Sequence, residues 1–274
     1  MVTYLKRTRP NLKAIKNLLL KKDMDYFLMV VGYERSGKSN LAQAIAQAYL
    51  EESPKYHHKH KNTKIQLTSK NFVFDVETLQ ERVYTLPRGS PIIIDEGATT
   101  ILAHESITPQ GREALKLVTT MGERNLFVII CVPDFFLVQP YIRNNRVKSV
   151  FRVVSRGRYY LYNKVAMGKI IKDKKTGRTR YPPFTYVDYW GEQKGELWGQ
   201  YEKLKSEYLS RRSIKKDRVI GIKEVSEITG LSTATIYNYC DKGLIPYFEV
   251  LGRKKFRESD IANLVINHEA KHKL

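Results

Sequence analysis

Cysteine is almost missing from this chain: among 274 residues only Cys131 and Cys240 occur. They lie far apart, one inside an apolar run and one inside a helical pattern, which excludes a disulfide framework and the paired spacing of a zinc site. A reducing compartment is expected. Long apolar runs are missing as well. None approaches the about 18 residues needed to cross a bilayer, and Met1 to Pro10 lacks the apolar stretch of a secretory signal, so the expectation is a cytoplasmic protein without a membrane partner. Acid is scarce relative to base. Lys and Arg number 48 against 28 Asp and Glu, a formal charge of +20, and the pI is near 9.8. That balance points to a polyanionic partner, nucleic acid first. The length suits one sizeable core with a small second domain. His57, His58 and His60 sit in a polar loop with no acidic or Cys neighbour and read as solvated side chains rather than metal ligands.

The most specific stretch present is Gly32-Tyr33-Glu34-Arg35-Ser36-Gly37-Lys38-Ser39, which fits the pattern G-x-x-x-x-G-K-[ST] at every fixed position. It follows an apolar run, Phe27 to Val31, and precedes a helix-forming run, Ser39 to Glu52, with Leu41, Ala44, Ile45 and Ala48 on one face. Gly32 and Gly37 permit a turn that aims successive N–H groups inward, making an anion nest at a helix N-terminus. The expected ligand is ATP with Mg²⁺. Residues 32 to 40, Asn40 included, would contact it, with Lys38 on the β and γ phosphates and the Ser39 hydroxyl on the metal.

Pro91-Ile92-Ile93-Ile94-Asp95-Glu96 is the second motif. Three β-branched residues in a row read as a strand buried on both faces, with its carboxyl end at the ligand crevice. Asp95 is then the Mg²⁺ carboxylate. Glu96 is placed to orient and deprotonate an attacking water, which favours an ATPase over a small-molecule kinase.

The organisation reads as α/β. A basic N-terminal helix over 1–26, with Leu12, Ile15, Leu18 and Leu19 at helical spacing, precedes a mostly parallel, helix-covered sheet in a P-loop domain over 27–195. Asp75 to Leu86 reads as a helix. A second, Gly111 to Met121, starts near Thr108-Pro109 and turns Leu115 and Val118 to the core. Asn125 to Val132 is the next buried strand, tipped by Pro133-Asp134. A basic β-hairpin extension is expected over about 151–182, with strands Phe151 to Val154 and Tyr159 to Lys164 and a turn at Lys174 to Gly177. From Arg152 to Arg180 ten basic residues stand against the single acid Asp173. Arg156, Arg158, Lys174, Lys175 and Arg178 are the candidate DNA contacts, and Tyr159, Tyr160 and Tyr162 interleave as base-stacking candidates. The competing reading is a solvated edge hairpin guarded by charge. A polar helix from Glu196 reads as a linker over 196–216.

Residues 217–274 then read as a small DNA-binding domain. Ile222 to Tyr239 gives helix, Gly-containing turn, helix, with Ser232 as N-cap, and Val250 to Arg257 makes a basic wing before Ser259 opens a last helix. Gly230-Leu231-Ser232, Thr235-Ile236-Tyr237 and Gly243-Leu244-Ile245-Pro246 make this run resemble the winged helix of MerR and excisionase-type DNA-binding domains. The resemblance implies that Thr233, Thr235, Tyr237 and Asn238 face the major groove while Arg253, Lys254, Lys255 and Arg257 hold phosphates.

The phosphate loop, the Ile92-to-Glu96 strand end and Gly122 to Cys131 together resemble the P-loop ATPases of the HerA/FtsK superfamily, including Zot-like and viral genome-packaging ATPases, over roughly Phe27 to Tyr162. That implies a ring of subunits that hydrolyses ATP and moves double-stranded DNA for a virus, plasmid or other mobile element. It also implies that the strand after Ile92–Asp95 lies beside the P-loop strand with its tip at the γ-phosphate. Asp134 is the sensor candidate there, where the family carries Gln, Asn or Thr. Arg124, Arg143 and Arg146 are the candidates for an arginine supplied to a neighbour. Two other classes fit the same residues: an ATP-dependent switch such as a replication initiator or helicase loader, and a regulator whose operator binding is set by nucleotide.

Overall fold

Six apolar residues in succession, Tyr26–Val31, cannot leave one face to water, so the strand they form must be covered on both sides. The computed structural model, which describes residues 4–22, 24–53, 65–95, 116–118, 121–215, 219–250, 252–258 and 260–261, builds two units, Met1–Leu204 and Lys205–Leu274. In the first, helices α1 (Arg9–Lys22), α2 (Lys38–Glu51) and α3 (Val76–Thr85) accompany strands β1 (Tyr26–Val31), β2 (Phe72–Val73), β3 (Pro91–Ile94), β4 (Phe127–Val132) and β5 (Val147–Ser155). There follow β6 (Arg158–Tyr162), a short α4 (Lys164–Met167), β7 (Ile171–Lys172), β8 (Thr179–Arg180), β9 (Tyr186–Tyr189) and α5 (Glu196–Lys215). Among the described residues no helix is long and apolar enough to cross a membrane.

The main sheet runs β2-β3-β4-β1-β5-β6-β9. Its first five strands are parallel, and β6 and β9 are antiparallel additions. Phe27 to Val31, Ile92 to Ile94 and Phe127 to Val132 are all buried, and β4 stands between β3 and β1. Register places Val31 opposite Val132 on one side and Arg152 on the other, so the carboxyl ends of β1, β4 and β5 share one edge.

The basic N-terminal helix packs on its own unit. Leu12, Ile15 and Leu19 are buried, and Lys16 Nζ donates to the carbonyls of Tyr49, Leu50 and Glu52 at 3.2, 3.0 and 2.7 Å, where a cation offsets the negative end of α2. The start of α1 is held by Asp188 of β9, whose Oδ2 accepts from Arg7 N, Thr8 N and Thr8 Oγ1, each at 2.9 Å. At α3, Asp75 is the N-cap, accepting from Thr78 N at 2.6 Å.

Three expectations change. The strand beginning at Phe151 is longer, Val147–Ser155, and belongs to the main sheet beside β1, because Val147 and Val150 continue the inward apolar set. The separate hairpin shrinks to β7 and β8. Tyr159 and Tyr162 are core residues rather than stacking platforms: Tyr159 stacks on Phe151 at 5.0 Å and bonds Thr8 Oγ1, and only Tyr160 is partly open, against Phe184. The helix from Glu196 does not begin as a free linker either, since Tyr201 is 3% exposed. The helix Gly111 to Met121, its start at Thr108-Pro109, the three loop histidines and Ser259 lie wholly or largely outside the described residues.

The second unit is a pair of helices, α6 (Ile222–Thr229) and α7 (Thr233–Asp241), against an antiparallel sheet β10-β12-β11 of Val219–Gly221, Arg253–Arg257 and Phe248–Val250. Ile220, Val225, Ile236, Cys240, Ile245, Phe256 and Ile261 make its core. Gly230, at φ +67, ends α6 in the left-handed conformation and donates to Ser226 O at 2.9 Å. Ser232 caps α7 by accepting from Thr235 N at 3.1 Å.

Asp188→Ala strands the buried Thr8 amide, while the Thr8 hydroxyl keeps its tyrosine partners. It is expected to lower stability by about 3 kcal/mol in urea unfolding of the full chain.

Candidate functional site

Where β1 ends, the chain must reverse into α2 with almost no room. A Cβ at Gly32 would meet Ser36 Oγ at 2.9 Å and Val153 Cβ at 3.0 Å, and Gly37 sits at φ +99. Only glycine fits both places. Arg35 also takes a left-handed angle, φ 58, so the residues between the glycines curl around their own backbone, Ser36 N donating to Tyr33 O at 3.3 Å. Tyr33, Glu34 and Arg35 point to solvent. Lys38 is 6% exposed and its ammonium folds over the loop onto Tyr33 O at 2.9 Å.

The loop's partner comes from β3. Asp95 is 1% exposed, and Ser39 Oγ lies 3.3 Å from each of its carboxylate oxygens. Phosphate and Mg²⁺ fit this arrangement. Ser36 Oγ, beside Gly32, is buried with no hydrogen-bond partner among the described residues, and one carboxylate beside one hydroxyl suits a cation that takes its other ligands from phosphate and water. Glu96 lies outside the described residues.

A residue with no motif to announce it completes the pair: Tyr201 of α5 donates to Asp95 Oδ2 at 2.5 Å. Its ring lies against Phe72, Phe74 and Trp198, at centroid distances of 5.0, 5.8 and 4.7 Å. Burial, then the charge of Asp95, push its phenol well above the usual tyrosine range, so it stays a donor. The available signal was an aromatic pair three residues apart, Trp198 and Tyr201, on an otherwise polar helix.

Asn40 is committed elsewhere. Its Oδ1 accepts from Trp190 Nε1 at 3.1 Å and Gln193 N at 3.0 Å, and its Nδ2 donates to Gln193 O at 3.0 Å. This straps the segment after β9 across the start of α2. Any contact Asn40 makes with a nucleotide is therefore through its backbone.

The arginine candidates are held within their own chain. Arg124 donates to the carbonyls of Val83, Tyr84 and Leu86 at 3.0, 3.1 and 2.7 Å, closing the end of α3. Arg146 pairs with Asp25 and donates to Val118 O at 3.0 Å. Arg143 lies over Phe136, 4.7 Å from its centroid, and donates to Val138 O at 3.2 Å. Each donates to at least one backbone carbonyl of its own chain.

Asp134, at the tip of β4, accepts from Phe136 N at 2.8 Å and from Thr179 Oγ1 at 2.5 Å. The β7–β8 hairpin is thus hooked to the strand next to the phosphate loop. Asp173 shapes the hairpin turn by accepting from Lys175 N and Thr176 N at 2.8 and 3.1 Å, and those N–H groups hold its carboxyl below the ordinary range. Arg156, Arg158, Lys174, Lys175 and Arg178 are all exposed. Arg156 follows β5, so it lies at the same edge as the phosphate loop.

In the second unit Thr233, Tyr237 and Asn238 are exposed on α7, and Thr235 bonds Ser232 Oγ at 2.8 Å within the cap. Arg253 and Arg257 are exposed and Lys255 partly so. Lys254 differs from them: it pairs with Asp241 and lies over Tyr247 at 4.1 Å, so its charge serves packing first.

A family described as "Helix-turn-helix domain" matches residues 219–266. The second unit carries a helix-turn-helix domain. No curated protein matches the chain. Among solved structures it is similar to the N-terminal domain of zonular occludens toxin from Neisseria meningitidis, at 13% identity, covering 62% of this chain and 96% of that one with a TM-score of 0.33. It is similar also to the genome packaging NTPase B204 of Sulfolobus turreted icosahedral virus 2 in complex with ATP-gammaS, at 14% identity, 59% and 98% coverage and a TM-score of 0.32. A third likeness is to the FIGL-1 AAA domain in complex with ADP, at 13% identity, 54% and 52% coverage and a TM-score of 0.37. At these levels the α/β fold of the first unit stands on its own strand order.

Two outcomes follow. Arg253→Ala with Arg257→Ala should weaken duplex DNA binding at every sequence and flatten its salt dependence by about two phosphate contacts, read by fluorescence anisotropy over a salt series. Lys254→Met should leave that slope nearly unchanged and instead lower the melting temperature.

Proposed function

We propose that the chain is a Mg²⁺-dependent ATPase that handles DNA, acting as a self-associating double-stranded DNA translocase or packaging motor of a mobile element. The observation that carries the reading is the Thr179–Asp134 bond of 2.5 Å, which joins the basic hairpin to the strand tip beside the phosphate loop. A motor needs such a link. Whatever shifts the tip of β4 by a fraction of a bond length shifts Lys174, Lys175 and Arg178 with it.

Bound ATP·Mg²⁺ would supply the transferable phosphoryl group and a metal that neutralises charge on it. The backbone from Gly32 to Ser39 holds the phosphates, and Lys38 turns its ammonium from Tyr33 O toward them. Ser39 and Asp95 hold the metal. Glu96 orients and deprotonates the water. The helix-turn-helix tethers the molecule to its DNA through α7 and the β11–β12 wing. Self-association draws its support from the family resemblance, and Arg124, Arg143 and Arg146 stand as the candidates for an arginine acting on a neighbour.

The hydrogen bond from Tyr201 to Asp95 favours a second reading as well. Site and helix α5 are joined there, which suits a switch in which nucleotide state sets DNA engagement, as in a replication initiator or helicase loader.

Displacement of a triplex-forming oligonucleotide from long duplex DNA separates the two. The motor reading expects ATP-dependent displacement by the wild type and none by Lys38→Ala or Glu96→Gln. Wild-type protein that hydrolyses ATP but leaves the triplex in place overturns translocation and leaves the switch.

A further inference from the structure

A carboxylate on a metal has two oxygens and a free torsion, and its usefulness depends on which way it is turned. At Asp95 that torsion is fixed by a hydrogen bond. Oδ2 takes the phenol of Tyr201 at 2.5 Å, and with the group so turned Ser39 Oγ is equidistant from Oδ1 and Oδ2, 3.3 Å from each. The phenol also bonds the Ser39 hydroxyl, so Tyr201 touches both residues that would hold a cation and fixes one against the other. The donor is neutral, so it fixes the carboxylate without competing for its charge as Lys or Arg would. The phenol is itself immobile: its ring is 3% exposed and packed by Phe72 of β2, Phe74 just beyond it and Trp198 one helical turn earlier on α5. None of this is needed to bury a tyrosine, which could keep its hydroxyl in water.

We propose that Tyr201 is a positioning residue of the metal site, holding Asp95 turned to Ser39, and that the first turns of α5 are thereby part of that site. The proposal rests on reading Ser39 and Asp95 as the Mg²⁺ pair. It adds that metal and α5 are linked: a cation that holds Asp95 in this orientation favours the contact with Tyr201, and a docked α5 raises metal affinity in return.

Two measurements on the full chain test it. Amide hydrogen exchange across 196–204 is followed with a slowly hydrolysed ATP analogue in excess Mg²⁺ and in EDTA. Mg²⁺ is also titrated against a fluorescent ATP analogue for wild type and Tyr201→Phe, which keeps the ring and removes only the hydroxyl. Slower exchange in α5 with Mg²⁺ in the wild type, lost in Tyr201→Phe, supports the proposal. So does an approximately tenfold higher Mg²⁺ requirement in the variant, with nucleotide affinity in EDTA unchanged and no further effect of Tyr201→Phe in an Asp95→Asn background. Equal Mg²⁺ dependence in the two proteins, or α5 exchange that stays level or quickens with metal, overturns it while leaving nucleotide binding intact. A wild type that binds no nucleotide with or without Mg²⁺ overturns this proposal and the ATPase reading together.

Discussion

The distance between Ser39 and Asp95 is set by a strand that belongs to neither of them. Because β4 stands between β1 and β3, the loop that follows β1 must curl over one full strand width before α2 can bring its first turn to the end of β3. All three strands are buried on both faces, so they cannot slide without exposing apolar surface on both layers. This rigidity sets the 3.3 Å between one hydroxyl and one carboxylate. The same edge collects the other working parts: the tip of β4 with Asp134 and, after β5, the turn at Arg156.

Two further contacts tie later segments of the chain to that edge. Thr179 fastens the basic hairpin to Asp134, and Tyr201 fastens the start of α5 to Asp95. Both are short bonds from segments late in the chain to the ends of central strands. Both attach the parts richest in candidate DNA contacts, or the helix that leads to them, to the residues nearest the phosphate loop. Each link is a single hydrogen bond.

Much of this was legible in the residues because the phosphate loop leaves so little freedom. Gly32, Gly37, Lys38 and Ser39 announce themselves by type and spacing, and the isoleucine run before Asp95 could only be a buried strand. The helix-turn-helix was legible for the same reason, through Ser232 as a cap and Gly230 in a turn. What escaped depends on long-range contact. Tyr159 and Tyr162 among basic residues look like a stacking surface, and the pairing of β6 with β5 and β9 in the main sheet turns them into core. Arg124 and Arg146 look like free cations until the carbonyls at the end of α3 and the Asp25 carboxylate are brought to them. Tyr201, over a hundred positions from Asp95 in sequence, had no local pattern that could place it there. Pairings of high sequence separation are the kind that periodicity cannot report.

The central claim is that the Ser39–Asp95 site turns over ATP in the service of DNA. The rate of phosphate release by the full chain, with and without long double-stranded DNA at fixed Mg²⁺, tests it most directly. The account predicts a measurable basal rate that DNA raises several-fold; a chain that releases no phosphate above the Lys38→Ala background, with or without DNA, contradicts it.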